Sequence, residues 1–285
     1  MNAETEHLRA RAGRVVEATT SRIPIRAALL AGSAARGNAD CFSDIDLLFY
    51  VDDVPTNNAI AEVREAVGGI EPLKRHDPTD HWNGEEFRLD GVRTEISFTT
   101  VEHTERELDQ LLDQLDDIAS PRQKILSGIA EGLPFYGEPL IERWQKRLRD
   151  YPEPFRREMI LRHWNFFPLW YYGEAMARRD SELWRLDVLL EGVFNLLGVL
   201  AGLNRLYFAR FELKRTRDFV AKMELAPPLL ADRIEALFRL APQEAAQGFG
   251  GLIEETRQLV GRELPDLELP LPLPPGMRQK PWRLE

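Results

Sequence analysis

The sequence predicts an α+β protein: an N-terminal domain in which a mixed β-sheet is flanked by helices, followed by an all-helical C-terminal domain. Three observations support this fold class. Short apolar runs of strand length alternate with helical patterns over the first 140 residues or so. A hairpin pattern covers residues 85–100. After Pro139 no further strand pattern is found, whereas helical periodicity continues to residue 262.

The elements of the first domain follow from local patterns. Residues 4–19 show helical spacing of apolar positions, and residues 25–32 (IRAALLAG) predict a short buried strand. Residues 44–53 (DIDLLFYVDD) predict a second strand because aromatic and β-branched residues are enriched there. In the hairpin, Asp90-Gly91 tolerates the positive φ angles of a type I′ turn. The remaining predicted elements are a helix at 59–67, a capping box at 99–102 that starts an amphipathic helix, and a strand at 133–140.

The second domain is predicted from helical periodicity alone. The domains are expected at 1–140 and 141–264, with a proline-rich extended tail at 265–285. The predicted helical runs cover 140–150, 153–178, 181–202, 205–223, 227–240 and 250–262.

Composition restricts the partners and the compartment. A formal net charge of -10 disfavours nucleic acid as a partner and suits a cationic or neutral small molecule, or a nucleotide held by a metal ion. The single cysteine, Cys41, fits a reducing compartment. The N-terminus has no apolar signal region, and the most apolar window, residues 188–203, is too short to span a bilayer. We therefore expect a cytoplasmic protein with no membrane partner.

Two aspartates interrupt the second predicted strand. Residues two apart in a strand share a face, so Asp44 and Asp46 point the same way while Ile45 faces the core. Two neighbouring carboxylates repel each other unless a cation lies between them, and such oxygen ligands suit Mg²⁺. An isolated Asp-x-Asp is more often a cap or a surface pair. The metal interpretation depends on the other residues of the arrangement.

Glu95 is the candidate for a third carboxylate. In the second hairpin strand Val92, Ile96 and Phe98 alternate inward, so Glu95 lies on the opposite face. A strand placed beside residues 44–51 would bring Glu95 against the aspartates, although spacing alone does not establish that adjacency. The alternative is a solvated glutamate on an exposed face.

A Gly-Ser pair ends the first predicted strand. Backbone N–H groups and the Ser33 hydroxyl could cradle the terminal phosphates of a nucleotide, and Gly32 would allow a close approach. Arg36 and Gly37 could order the loop that returns to the aspartates. An isolated Gly-Ser after a strand is usually only a turn.

This arrangement resembles the DNA polymerase β-like nucleotidyltransferase superfamily over roughly the first 100 residues. The residues that carry the resemblance are Gly32-Ser33, Arg36-Gly37, Ser43-Asp44-Ile45-Asp46 and Glu95. The layout of the two domains is similar to that of the antibiotic nucleotidyltransferases that modify aminoglycosides or lincosamides.

The resemblance implies a reaction and its cofactors. Asp44, Asp46 and Glu95 would be the catalytic Mg²⁺ ligands, and ATP or another NTP would donate a nucleoside monophosphate to a hydroxyl of a small molecule. In the antibiotic-modifying members the general base can be a carboxylate, either of the metal set or of the helical half, so the identity of the base stays open. A site formed across a homodimer stays open as well. The nucleotide-binding residues would be Gly32, Ser33, Arg36 and Ser43.

The helical half offers further candidates. Glu174, Asp187 and Glu191 are candidates for contacting the acceptor, with a half-exposed helix edge as the alternative. Lys214, in a cluster of basic and aromatic residues, could reach a triphosphate, although a solvated basic helix face explains the cluster equally well.

Two other functions stay open. An antitoxin-like nucleotidyltransferase would adenylylate a protein partner, but such enzymes are usually a single small domain. A nucleotide-binding module without turnover would not need all three carboxylates.

Overall fold

The computed structural model describes residues 2–70, 72–118 and 122–270. The chain divides into two compact units. The first comprises residues 1–116 and 125–151, and the second comprises residues 117–124 and 152–285. A short segment of the second unit therefore interrupts the sequence of the first.

The first unit is built on a six-stranded mixed sheet. The strand order is β3-β4-β5-β2-β1-β6, in which β2 and β5 are parallel and the other neighbours are antiparallel. This is the predicted α+β architecture. The strands are β1 Ala27–Ala31, β2 Ile45–Val51, β3 Lys74–Arg75, β4 Trp82–Leu89, β5 Val92–Thr100 and β6 Leu133–Tyr136.

Helices cover the sheet and leave part of one face polar. The helix α1 buries the apolar side that the spacing predicts, and its N-terminus is capped by Asn2, whose side chain accepts a hydrogen bond from the Thr5 amide at 3.0 Å. Phe49 of β2 stacks on Phe98 of β5 with ring centroids 4.9 Å apart. The helices of this part of the chain are α1 Ala3–Thr20, α2 Gly32–Arg36, α3 Asn57–Ala66, α4 Val101–Leu112, α5 Gln123–Glu131 and α6 Glu138–Arg149.

The β4–β5 hairpin forms as predicted, but the start of the next helix is shifted by one residue. Asp90 and Gly91 have φ angles of 50° and 82°, as a type I′ turn requires. The residue that caps α4 is Thr100, whose hydroxyl accepts from the His103 amide at 3.2 Å. The predicted cap, Thr99, instead pairs with Trp82 in the sheet. The strand continues one residue further than the pattern indicated.

The helix α6 lies in the first unit, whereas the sequence placed the domain boundary after residue 140. Its Trp144 is buried and packs edge-on against Tyr50 of β2, with centroids 4.7 Å apart. Ile141 and Leu148 are buried on the same side of the helix. Because α6 covers the sheet through these side chains, the two units divide between Tyr151 and Pro152.

The described residues of the second unit form helices and loops and contain no strand, as predicted. The predicted helix at 153–178 ends at His163. Pro168 lies in the irregular segment that follows, and proline disfavours helical conformation in the residue before it. The elements are α7 Glu153–His163, a π-helix Tyr171–Ala175, a 3₁₀-helix Met176–Arg178, α8 Glu182–Leu203, a 3₁₀-helix Arg210–Arg215, α9 Thr216–Val220, α10 Leu230–Leu237 and α11 Pro242–Glu263.

The helix α8 is the centre of this unit. It has 22 residues and is long and apolar enough to cross a membrane by length and composition, unlike the shorter window that the sequence suggested. However, 72% of its most apolar window is buried inside the structure, as in the core helix of a soluble protein. Residues 265–270 have no regular helix or strand, and the rest of the predicted tail, 271–285, lies outside the described residues.

Candidate active site

Three strands bring the predicted site residues of the first unit together. In the antiparallel β1–β2 pair Ala31 lies opposite Asp46, and in the parallel β2–β5 pair Asp46 lies opposite Glu95. Direct neighbours in a ladder have their side chains on the same face of the sheet. Asp46 and Glu95 are therefore adjacent, and Gly32, which follows Ala31, lies at the same level of the sheet.

The geometry at Gly32 depends on its having no side chain. Gly32 has a φ angle of +70°, which side-chain-bearing residues rarely adopt. A Cβ atom added there would lie 2.6 Å from Oδ2 of Asp46. The missing side chain thus leaves the space that the Asp46 carboxylate uses.

The Gly-Ser turn is fixed by a residue of α1. Arg9 donates hydrogen bonds to the carbonyl oxygens of Ala34 and Ala35, from Nε at 2.8 Å and from Nη2 at 2.7 Å. The Ser33 carbonyl accepts from the amides of Gly37 and Asn38, which closes the turn. The Ser33 hydroxyl is half-buried and makes no hydrogen bond to the described part of the chain. It is thus available to a ligand.

Asp44 lies just before β2, and its carboxylate is paired with an arginine. Arg93 Nη1 lies 3.1 Å from Asp44 Oδ2. The same guanidinium donates to Glu86 Oε2 from Nε at 3.1 Å and from Nη2 at 2.8 Å. These hydrogen bonds with Glu86, together with the negative charges of Asp44 and Glu95, raise the pKa of Arg93 above its usual value.

Glu86 is a residue of this face that the sequence reasoning missed. It pairs with Glu95 across the β4–β5 hairpin, and its side chain is only 14% exposed. The signal was present in the sequence. Residues equally distant from the Asp90-Gly91 turn face each other in such a hairpin, and Glu86 and Glu95 are both four residues from it.

The other predicted nucleotide-site residues are engaged within the protein. Arg36 Nη1 lies 3.3 Å from Glu131 Oε2 of α5. The Ser43 hydroxyl donates to Asp40 Oδ1 at 3.1 Å and accepts from the Asp40 amide at 2.9 Å. Arg36 thus connects α2 to α5, and Ser43 closes the turn before the aspartates through Asp40.

The chemistry of the carboxylates fits a divalent cation. Hard oxygen donors such as Asp46, Glu95 and Asp44 are the ligands that Mg²⁺ prefers. Within the described ranges, however, no group of three or more His, Cys, Asp or Glu side chains stands close enough together to hold a metal ion. Register brings Asp46 and Glu95 side by side, and Asp44 is turned to Arg93.

The remaining candidates lie in the second unit. Glu174 and Asp187 are exposed, and Glu191 forms an ion pair with Arg210 at 3.0 Å. Lys214 is exposed, and its ammonium lies 4.6 Å from the centroid of the Phe211 ring. These side chains belong to the second unit, whereas the carboxylates belong to the first.

Comparison with known families identifies the first unit. Residues 13–127 match the family model of the nucleotidyltransferase domain. This stretch is therefore similar to nucleotidyltransferase domains. The matched range covers less than half of the chain and contains the Gly-Ser turn and all three predicted carboxylates.

A solved structure described as a nucleotidyltransferase-like protein from Exiguobacterium sibiricum 255-15 is 14% identical, with a TM-score of 0.40. The alignment covers 86% of this chain and 73% of that chain. The comparison with curated proteins gave no match.

Proposed function

We propose that this nucleotidyltransferase uses Mg²⁺ and transfers AMP from ATP, or another nucleoside monophosphate from its NTP, to a hydroxyl of a small molecule. The observation that supports this most strongly is the register of β1, β2 and β5. It aligns Ala31, Asp46 and Glu95, and so brings the Gly-Ser turn beside the carboxylates. A phosphate-binding turn next to metal-binding oxygens is what nucleotidyl transfer requires.

The reaction is a substitution at the α-phosphorus of the nucleotide. The acceptor oxygen forms a bond to that phosphorus, the bond to the bridging oxygen of the β-phosphate breaks, and pyrophosphate leaves with the bonding electrons. The hydroxyl proton passes to a carboxylate base. When bound, Mg²⁺ supplies positive charge that stabilises the phosphate oxygens.

The residues of the nucleotidyltransferase domain would divide these tasks. Asp44, Asp46 and Glu95 would hold the cation. The Ser33 hydroxyl and the backbone at Gly32 would bind the terminal phosphates, because that hydroxyl is available and the glycine allows a close approach. Lys214 of the second unit is a candidate for the triphosphate.

The acceptor that we propose is a cationic small molecule, such as an aminoglycoside, or a lincosamide. The net charge of -10 favours a cationic ligand, and Glu174 and Asp187 expose carboxylates on the helical unit. Glu191 could contact an acceptor only after its ion pair with Arg210 is broken. We further propose that the enzyme is cytoplasmic. Whether it forms a homodimer can be measured on the same protein preparations.

A protein acceptor is the second candidate function, as in an antitoxin-like adenylylating enzyme. The second unit has its own buried core centred on α8. A helical unit of this size is more than a minimal nucleotidyltransferase needs, and this favours the small-molecule acceptor.

The decisive experiment measures transfer directly. The protein is incubated with each labelled NTP, Mg²⁺ and a panel of aminoglycosides and lincosamides, and pyrophosphate release and acceptor mass are followed. We expect an acceptor mass gain of one nucleoside monophosphate. Modification of a protein instead would favour the second candidate, and Mg²⁺-dependent nucleotide binding without pyrophosphate release would indicate a module without turnover.

Asp46 provides the matching variant. Asp46→Asn removes a charge beside Glu95 and keeps the side-chain volume, so we expect the fold to persist and the transfer rate to fall by about a hundredfold or more. Circular dichroism checks the fold, and pyrophosphate release measures the rate. Unchanged turnover in a folded variant would exclude Asp46 from the site.

A further inference from the structure

Arg93 connects the carboxylate of Glu86 in β4 with that of Asp44 next to β2. Its Nη1 contacts Asp44 Oδ2 at 3.1 Å, while Nε and Nη2 both contact Glu86 Oε2. Glu86 belongs to β4 and Arg93 to β5, and Asp44 lies just before β2. The bridge therefore spans three neighbouring strands of the sheet at the carboxylate face.

An exposed ion pair alone usually contributes little. This bridge differs because the Glu86 side chain is only 14% exposed. Glu86 also accepts two hydrogen bonds from the planar guanidinium of Arg93, and these fix the direction of the N–H group that contacts Asp44. The side chain of Asp44 is 37% exposed, and among the described residues its polar contact is with Arg93. The orientation of Asp44 thus depends on a residue of a different strand.

We propose that Arg93 is a positioning residue of the nucleotidyltransferase site: anchored by Glu86, it holds the Asp44 carboxylate on the face that Asp46 and Glu95 share. This rests on the proposed function, in which Asp44 binds the divalent cation. The contact engages Oδ2 of Asp44. Arg93 also adds one positive charge to a face that carries four carboxylates (Asp44, Asp46, Glu86 and Glu95).

A positioning role and a charge role are separated by Arg93→Lys. Lysine keeps the positive charge but has no planar fork, so it cannot donate to Glu86 and Asp44 in the same geometry. If Arg93 positions Asp44, lysine does not replace it. If Arg93 supplies only charge, lysine does.

The test measures Mn²⁺ binding to the full-length protein by electron paramagnetic resonance, with no nucleotide and no turnover. We expect Arg93→Lys and Arg93→Gln each to weaken Mn²⁺ binding about tenfold or more, as is typical when a group that orients a metal ligand is removed. Glu86→Ala should weaken it similarly, and the double variant Glu86→Ala/Arg93→Gln should be no weaker than the single ones because both act through one bridge.

Arg88→Gln is the matched control. Arg88 lies opposite Arg93 in the hairpin but donates to the Gly91 carbonyl, so its loss should leave Mn²⁺ affinity unchanged. Thermal melts confirm that each variant is folded. Wild-type affinity in Arg93→Lys would overturn the proposal, as would tighter Mn²⁺ binding by Arg93→Gln, which would mean that Arg93 competes with the cation.

Asp44→Asn separates this inference from the proposed function. If Asp44→Asn loses Mn²⁺ binding but Arg93→Lys binds as tightly as the wild-type protein, the proposed metal site stands and the positioning role of Arg93 is wrong. Mn²⁺ binding that is absent in the wild-type protein, or indifferent to Asp44→Asn, would overturn both.

Discussion

At the scale of single residues, Gly32 links the backbone of the phosphate turn to the carboxylate of Asp46. Its φ angle of +70° disfavours a side chain, and the space where a Cβ would stand is taken by Asp46 Oδ2 at 2.6 Å. Gly37, at the other end of α2, has a φ angle of +82° but nothing within 4 Å of the Cβ position. Both glycines have a φ angle that disfavours a side chain, but only at Gly32 would an added Cβ atom meet another residue.

Gly32→Ala and Gly37→Ala therefore form a matched pair. Each should lower the free energy of unfolding by about 1–2 kcal/mol, the cost of a side chain in the left-handed region. Gly32→Ala should in addition displace the Asp46 carboxylate and lower the transfer rate at least tenfold more than Gly37→Ala does. Urea unfolding and pyrophosphate release measure the two effects. Equal rates in the two variants would mean that the Gly32–Asp46 contact has no part in the reaction.

The residues of the site differ in how far the sequence could predict them. Asp44 and Asp46 are recognisable because charged residues interrupt an apolar strand. The position of Glu95 beside Asp46 was only an expectation, since the parallel pairing of β2 with β5 joins segments about 50 residues apart. The Arg93 bridge to Asp44 was not predictable in this way, because the contact requires the strand order as well as side-chain directions.

At the scale of elements, the contact of α7 with α8 has a buried histidine at its centre. His163 is 2% exposed, its Nδ1 lies 3.2 Å from Asn195 Oδ1, and Phe194 and Phe208 pack edge-on against its ring. Its Nε2 is buried and has no hydrogen-bond partner among the described residues. An imidazolium is therefore poorly solvated at this position.

The free energy of unfolding should consequently depend on pH through His163. Burial lowers the pKa of His163 below its usual value, and this outweighs the opposite effects of the Asn195 hydrogen bond and the Glu191 charge. In the unfolded chain the pKa is about 6.5. The unfolded state thus binds the proton more readily, so stability is fully present above about pH 6.5 and is lost as pH falls towards the folded-state pKa.

Urea unfolding at pH 7.5 and 5.5 checks this dependence. His163→Gln should flatten the difference between the two pH values, whereas His7→Gln, which changes an exposed histidine of α1, should not. The proton resonances of the His163 ring report its pKa directly. A pKa at or above the usual value for histidine would contradict the account.

Elements were predictable where one local pattern decided them. The alternation of β4 and β5 around Asp90-Gly91 predicted both strands and their turn. The helical pattern at 205–223 instead covers a loop, a 3₁₀-helix and the short α9. Amphipathic spacing does not reveal where a chain must turn to bury Phe208 and Phe219, whose rings pack with centroids 5.3 Å apart. Tertiary packing decides that outcome.

At the scale of the whole molecule, each unit has its own core and its own sensitive contact. In the first, Arg64 of α3 and Glu85 of β4 form an ion pair at 2.6 Å with side chains 8% and 2% exposed. In the second, a Cβ added at Gly198 of α8 would lie 2.3–2.5 Å from ring atoms of His163. Each position thus provides a variant aimed at the core of one unit.

Differential scanning calorimetry of the full chain tests whether the units unfold as separate cooperative parts. Among the described residues, Glu85→Ala leaves the buried Arg64 with the exposed Glu65 at 3.7 Å as its remaining ion-pair partner. We expect a loss of about 3 kcal/mol, which should lower one transition by roughly 10 °C. Gly198→Ala overpacks the α7–α8 contact and should lower a different transition, by about 1–3 kcal/mol.

The pattern of shifts in the unfolding transitions decides whether the two cores unfold independently. If each variant moves its own transition and leaves the other in place, the two cores are energetically independent. Defects in nucleotide binding caused by variants of the second unit could then not be ascribed to unfolding of the first unit. If both variants move one common transition by similar amounts, the chain unfolds as a single unit. Every activity loss in a helical-unit variant would then need a matching stability measurement on the carboxylate face before a role in acceptor binding could be assigned.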